Sequence, residues 1–332
     1  MKLTEIQVVV EAARRPESPP GDPEVTGLAH DSREVAPGDL FFCIRGSTDD
    51  GHRRAEQAAS AGAVAVVSEA ITEAPLPHLL VTDVRSAMNR AAAHFHGNPG
   101  AALGLIGVTG TNGKTTTAFM TRAIMEAAGM PTGLIGTIEV RFGEFREDGV
   151  RTTPDGIQLH RILGEMARLE AGSCVMEVTS HGIDQRRIEG LFFQTAVFTN
   201  LSRDHLDYHP TMEDYYQTKR GLFSPEWTAV GVVNLDDQWG ARLAEEARIP
   251  TVTYGMAAGR DLWSTDVHLD ARGSRFRITG LFEVEVALSI PGWFNVSNAV
   301  AAAAAAHLAG ADPDAIRRGL ETLDFVPGRF ER

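Results

Sequence analysis

Cysteine is nearly absent from this chain of 332 residues: only Cys43 and Cys174 occur. Both lie in apolar runs without partners at metal-ligand spacing, which excludes a disulfide scaffold and a cysteine metal site. They read as core thiols of a reducing compartment, so the expected location is cytoplasmic. Long hydrophobic runs are missing as well. The longest, around Ala299 to Ala306, is mostly alanine and far too short for a bilayer, so no membrane insertion is expected. No basic-then-apolar signal segment opens the chain. Basic residues are in deficit, 31 Lys and Arg against 44 Asp and Glu, for a net charge of −13. That balance argues against a nucleic-acid surface or an anionic membrane partner. Internal repeats and long low-complexity segments are also lacking.

What is present suits a mixed α/β protein. Hydrophobic residues make up 43% of the chain and 33 residues are glycine, enough for a sizeable core and many turns. The length suggests two domains. In the first hundred residues, Asp39 to Ile44, Ala63 to Val67 and Leu79 to Thr82 read as strands. His52 to Ala61 reads as a helix ending at Gly62, and Asp83 caps another that runs to about His96. The turn cluster Asn98-Pro99-Gly100 is the natural boundary, giving domains at 1–98 and 99–332.

Beyond it, strands and helices alternate: Leu103 to Thr109, Thr115 to Ala128, Gly133 to Ile138, Asp155 to Leu169, Ser173 to Val178, Thr195 to Asn200, Met212 to Phe223 and Val230 to Asn234. Apolar strands between helices predict a parallel sheet covered on both faces. From Leu262 to Ile290 the period falls to about two, which predicts a small antiparallel patch. A last helix is expected from about Val296 to Leu308, ending at Gly310 with Pro313 beyond. The predicted fold class is therefore α/β: a small N-terminal α/β domain, then a phosphate-loop domain with a mainly parallel sheet.

The segment that carries chemistry is Leu103 to Met120, where an apolar run opens onto Gly110-Thr111-Asn112-Gly113-Lys114-Thr115-Thr116 and a helix follows. Strand, glycine loop and helix N-terminus bring backbone N–H groups and a partial positive charge to a polyphosphate. Lys114 would reach the outer phosphates and the Thr115 hydroxyl would ligate Mg²⁺. The strict pattern needs glycine at position 108, which is valine, so the motif is a shortened variant. A plain glycine turn is the competing reading. Ligands of parallel sheets gather beyond the carboxyl ends of the strands. Two more polar clusters lie at such ends, Met176 to Gly182 with Glu177 at the strand tip, and Asn200 to His209.

GVTGTNGKTTT, the TTPD of Thr152 to Asp155, MEVTSHG, NLSRDHLDYH and YYQTKRGLF together closely resemble the Mur ligase family. His30-Asp31-Ser32-Arg33 and Gly38-Asp39-Leu40-Phe41-Phe42 extend the resemblance into the first domain. The chain looks most like the branch that adds the third residue to UDP-N-acetylmuramoyl-L-alanyl-D-glutamate (MurE type). The resemblance implies an ATP-dependent ligase of peptidoglycan synthesis, working through an acyl phosphate, with Mg²⁺ as cofactor. It implies UDP-N-acetylmuramoyl-dipeptide, ATP and an amino acid as partners, and a monomer. His30, Ser32, Ser47, Thr48 and Asp49 would line the uridine-diphosphate pocket. Gly110 to Thr116, with Asn295, Asn298 and Arg329, would hold ATP. Thr152, Thr153, Thr179, Gln185 and Arg187 would hold the muramoyl-dipeptide, Thr179 standing where serine is expected. Thr115, Glu177 and His205 would serve Mg²⁺, joined by Lys219 once carbamylated. Lys114, Glu177, His205 and Lys219 are thus the implied catalytic set. By residue type alone, Lys219 is an ordinary solvated helix lysine, and Tyr215 and Tyr216 are packing residues.

The chain stops at Arg332, just after the Gly-Arg-Phe-Glu segment that precedes a third, amino-acid-binding domain in this family. Either a fragment or an early end of the coding sequence is therefore expected, the intact linker favouring the fragment. The added residue, whether a diaminopimelate, lysine or another diamine, is not legible here. A folylpolyglutamate-type sibling ligase and a catalytically silent nucleotide-binding module stay as alternatives.

Overall fold

The computed structural model describes residues 1–14, 21–46, 49–149 and 151–327. Residue contacts gather the chain into two compact units. The first takes Met1–Pro99 with Asp155–Gly164 and Gln185–Gly190; the second takes Gly100–Pro154, Glu165–Asp184 and the chain from Leu191 onward.

In the first unit the order is α1 (Leu3–Val9), β1 (Ala13–Arg14), β2 (Gly27–Ala29), β3 (Asp39–Phe42), α2 (Ala55–Ala61), β4 (Ala65–Ser68), β5 (His78–Leu80) and α3 (Val84–Phe95). The sheet runs β1-β5-β4-β3-β2, with β2 to β5 parallel and β1 antiparallel to β5. Side chains alternate faces along a strand, and both faces here are covered. Leu40 and Phe42 accordingly pack with Leu3, Ile6 and Leu79, while Phe41 packs with Ala55 and Ala58. Asp83 starts α3 by accepting the N–H groups of Arg85 and Ser86, each at 3.0 Å.

The second unit carries β6 (Gly104–Thr109), α4 (Lys114–Ala127), β7 (Thr132–Ile135), β8 (Glu139–Phe142) and β9 (Phe145–Asp148). The helix α5 (Gly156–Arg168) belongs to the first unit through Gly164 and to the second from Glu165. After it the second unit continues with β10 (Ser173–Glu177), α6 (Ser180–Asp184), β11 (Phe193–Phe198), α7 (Met212–Arg220), β12 (Thr228–Asn234), α8 (Gln238–Glu246) and β13 (Thr251–Gly255). The unit closes with β14 (Leu262–Asp270), β15 (Gly273–Gly280), β16 (Val284–Leu288), α9 (Trp293–Leu308) and α10 (Pro313–Glu321). Its eleven strands are ordered β16-β15-β14-β13-β12-β11-β6-β10-β7-β8-β9. From β14 across to β7 neighbours run parallel, and β14 to β16 form the antiparallel patch expected between Leu262 and Ile290.

Two features depart from the sequence reading. The hairpin β8–β9 adds an antiparallel extension at the opposite edge, beside β7. Its strands are short and half-exposed, so they carry no buried apolar run to announce them. Pro313 does not merely follow the last helix. It opens α10, where Asp312 caps by accepting the Ala315 N–H at 2.7 Å. The alanines of α9 from Ala299 to Ala306 are buried against α4 and the sheet, small side chains allowing close approach. Cys43 and Cys174 are free and buried, and burial pushes both thiols up to about 12, so they are inert at neutral pH. Among the described residues, no helix is long and apolar enough to cross a membrane.

Candidate functional site

Strands β11, β6 and β10 are consecutive in the sheet, so the three polar clusters noted in the sequence leave from neighbouring carboxyl ends. Position 108, where the strict motif wants glycine, is a buried β6 residue paired with Glu177 and Val197. The loop therefore begins only at Gly110, at the strand's end. Gly110 takes φ +144°, and a Cβ there would lie 2.0 Å from Thr199 Oγ1, so only glycine fits.

The residues after β11 clamp the loop from one side. The Thr111 N–H donates to the Asn200 carbonyl at 2.8 Å, and the Asn112 N–H to Asn200 Oδ1 at 3.0 Å. Thr199 Oγ1 donates to the Asn112 carbonyl at 2.6 Å. Lys114 Nζ donates to the carbonyls of Gly110 at 3.0 Å and Thr111 at 2.8 Å, curling over its own loop. Its ammonium is thus held against the backbone of the loop.

Glu177 ends β10 at 1% exposure, and its carboxylate is surrounded by donors. Thr115 Oγ1 donates to Oε2 at 3.0 Å, Thr137 Oγ1 to Oε2 at 3.1 Å, and the Thr137 N–H to Oε1 at 2.9 Å. Thr115 and Glu177, from sites 62 residues apart in sequence, therefore share one hydrogen bond at the loop's foot. Thr152 Oγ1 lies 2.9 Å from Thr137 Oγ1. Thr153 Oγ1 donates to the Glu177 carbonyl at 2.9 Å and accepts the Thr179 N–H at 3.0 Å. The Thr179 hydroxyl accepts the Gly182 N–H at 3.0 Å, a role a serine would fill equally.

Lys219, on α7, is 1% exposed and not a solvated helix lysine. Its Nζ donates to Thr109 Oγ1 at 3.3 Å and lies 4.8 Å from the centre of the Tyr215 ring. Burial above all, then the charge of Lys114, drives its pKa well below the ordinary lysine value, with Asp204 opposing. His205 differs. It is exposed, in the left-handed region at φ +51°, with its Nε2 3.6 Å from Asp204 Oδ2 and its ring edge-on to His181 at 5.1 Å. Among the described residues, no group of three or more His, Cys, Asp or Glu is arranged to hold a metal ion.

Two family descriptions match this architecture: "Mur ligase middle domain" over residues 108–306 and "Mur ligase family, catalytic domain" over residues 24–96. The first alone covers more than half of the chain. The chain belongs to the Mur ligase family. It is 43% identical over 319 residues to a UDP-N-acetylmuramoyl-L-alanyl-D-glutamate–2,6-diaminopimelate ligase of Geobacter metallireducens, covering 93% of this chain and 62% of that one. A protein of the same name from Streptomyces coelicolor is 42% identical over 324 residues, with coverage of 95% and 64%. A solved structure of a ligase of that name superposes with a TM-score of 0.85 at 30% identity, covering 99% of this chain and 68% of the other. This Mur ligase chain thus spans less than two thirds of the length of the curated relatives it matches.

The remaining Mur-type positions divide by location. Asn298 lies against the Gly110–Gly113 loop: Thr117 Oγ1 donates to its Oδ1 at 3.4 Å, and a Cβ on Gly113 would lie 2.5 Å from that oxygen. Asn295 donates to the Pro291 carbonyl at 2.8 Å, and both asparagines are buried on α9. In the first unit, His30 Nε2 lies 3.4 Å from Asp155 Oδ2, Ser32 Oγ donates to Gln57 Oε1 at 3.1 Å, and Asp49 accepts Arg54 Nε at 3.0 Å. Arg187 and Gln185, also of the first unit, are joined at 2.8 Å. Ser47, Thr48 and Arg329 lie outside the described residues. Sequence reasoning missed Thr137, which follows β7, the strand next to β10. A hydroxyl just past a fourth strand of the same sheet was the available signal.

Proposed function

We propose that this chain supplies the nucleotide- and UDP-muramoyl-dipeptide-handling parts of a ligase that uses ATP to join 2,6-diaminopimelate to UDP-N-acetylmuramoyl-L-alanyl-D-glutamate. The observation that carries the nucleotide half is the Thr115–Glu177 hydrogen bond at the foot of the loop. The names and identities of the relatives support the substrate half.

The donor set fits magnesium. A hydroxyl and a carboxylate oxygen 3.0 Å apart are both hard oxygen ligands, and Mg²⁺ keeps several waters and takes phosphate oxygens beside one or two carboxylates. When bound, Mg²⁺ supplies charge neutralisation of the phosphates. The N–H groups of the first turn of α4 cradle the same phosphates, those of Thr111 and Asn112 being held by Asn200, and Lys114 moves from its two carbonyls to the outer phosphate.

ATP and a carboxylate repel each other, so this neutralisation lets the dipeptide's carboxylate attack the γ-phosphorus. An acyl phosphate forms and ADP leaves. The incoming amine then attacks the acyl carbon, loses a proton and expels phosphate, leaving an amide. No protein nucleophile is needed; positioning and electrostatics carry the rate. Thr152, Thr153, Thr179, Gln185 and Arg187 are assigned to the muramoyl-dipeptide, and His30, Ser32, Ser47, Thr48 and Asp49 to the uridine diphosphate. Asn295, Asn298 and Arg329 are assigned to ATP, and His205 to a metal at the substrate carboxylate. Lys219, buried and shifted toward the neutral amine, suits attack on CO₂, giving a carbamate anion where an ammonium would repel the metal.

Thermal unfolding tests the reading. At about 100 times its dissociation constant, a ligand that binds only the folded chain adds about 2.7 kcal/mol. UDP-N-acetylmuramoyl-L-alanyl-D-glutamate should therefore raise the midpoint by roughly 4 °C, at about 1.4 °C per kcal/mol for a chain of this length. UDP should raise it less. A rise with a folate polyglutamate and none with the muramoyl compound would overturn the assignment.

A further inference from the structure

Tyr215 reads from sequence as packing, and it is 1% exposed, yet its contacts are not those of a core filler. It lies on α7 four residues before Lys219, so ring and amine share one face of the helix. Thr211 fixes where that helix begins, its Oγ1 accepting the Asp214 N–H at 3.1 Å. The Tyr215 ring lies under Lys219 Nζ and edge-on to His205, with ring centres 6.1 Å apart. Its other neighbour is His209, stacked at 5.0 Å with 23° between the planes. Among the described residues, the buried His209 Nε2 has no hydrogen-bond partner.

The tyrosine hydroxyl reaches the phosphate loop. It lies 3.3 Å from Thr111 Oγ1, which also accepts the Ser202 N–H at 3.0 Å and donates to the Ser202 carbonyl at 3.3 Å. A threonine hydroxyl has one proton and two lone pairs. With Ser202 using the proton and one lone pair, the Tyr215 O–H fills the other. Thr111 is then fully engaged, and the orientation of the backbone on either side of it is set.

We infer that Tyr215 is a positioning residue of the nucleotide site, tying the phosphate loop through Thr111 to the His205 loop and to Lys219. The inference rests on the nucleotide reading above. Its neighbour supplies a matched control. Tyr216 is equally buried, but it points round the helix to Glu246, to which its hydroxyl donates at 3.0 Å, and to the Trp239 ring at 5.1 Å. Tyr215→Phe and Tyr216→Phe each delete one buried hydroxyl bond from the same helix, and only the first touches the loop.

The test is calorimetric titration of Mg²⁺ with β,γ-methylene-ATP into the chain and its variants, with urea midpoints for each. Tyr215→Phe should weaken the nucleotide about fivefold, the equivalent of one net hydrogen bond. Tyr216→Phe should stay within about twofold of the parent, the usual limit for independent sites, although its loss of stability should be at least as large, because its hydroxyl bonds a carboxylate. Thr111→Val should weaken binding as well, and adding Tyr215→Phe to it should cost nothing more, because the two hydroxyls act as one unit. Unchanged affinity in Tyr215→Phe, or equal weakening by Tyr216→Phe, overturns the inference while leaving the nucleotide site standing. A parent chain that binds no nucleotide removes both.

Discussion

Lys114→Ala is expected to lower affinity for β,γ-methylene-ATP by about 100-fold or more while the chain stays folded. The ammonium makes two hydrogen bonds to the loop's own carbonyls, at 3.0 and 2.8 Å, and would exchange them for phosphate oxygens. Hydrogen bonds to charged groups are worth about 1.5–3 kcal/mol each, so two of them correspond to at least about a hundredfold. The loop itself should survive, because Asn200, Thr199 and Ser202 hold it independently of the lysine. Titration calorimetry on a variant with a parental circular-dichroism spectrum checks this. Equal binding by both chains would reduce Gly110 to Gly113 to a glycine turn.

Lys219→Met is expected to stabilise the chain at neutral pH, because burying the amine favours its neutral form and costs a proton that the unfolded chain keeps. The pH dependence identifies the cause. Burial lowers the folded-state pKa, so between that value and the ordinary value near 10.5 the unfolded chain binds a proton that the folded chain does not. Stability of the parent then rises with pH through that window, by up to about 1.4 kcal/mol per pH unit, and is flat below it. The variant lacks this term. Its advantage should be largest at neutral pH and close as pH approaches about 10.5. Urea unfolding in CO₂-free buffer from pH 7 upward measures the difference, in which all other titrating groups cancel. Parallel curves would mean an ordinary solvated lysine.

The parts of this architecture legible in sequence are those governed by local rules. Gly110 and Gly113 announce a loop, apolar runs announce parallel strands, and the strand-end rule points to Glu177 and to the segment from Asn200. That these clusters leave adjacent strands follows from the order β11-β6-β10, which no local pattern encodes. Thr137 shows the cost: its partnership with Glu177 depends on β7 lying beside β10. Lys219 and Tyr215 were ambiguous for another reason. A helix lysine is usually solvent-facing and a helix tyrosine a packing residue; burial separates Lys219 from that rule, and the hydroxyl contact with Thr111 separates Tyr215. Asp312-Pro313 illustrates a third kind of miss, since proline after one helix and proline opening the next look alike until the capping bond is seen. Short or half-buried pieces such as α1, β2, α8, β13 and the β8–β9 hairpin carried too little periodicity to stand out.

Thr115 and Glu177, at the foot of the Gly110–Lys114 loop, are proposed to form a magnesium–nucleotide site. The affinity for β,γ-methylene-ATP with Mg²⁺ and with a chelator, on the parent chain and on Glu177→Gln, decides whether they do. The glutamine keeps the shape and an oxygen for the Thr137 N–H, so folding is retained while the charge is lost. The parent should bind at least about tenfold more tightly with Mg²⁺, a difference of about 1.4 kcal/mol, and Glu177→Gln should lose most of that gain while its chelator-state affinity stays near the parent's. Nucleotide binding indifferent to Mg²⁺ in the parent, or a magnesium effect undiminished in Glu177→Gln, would contradict the account.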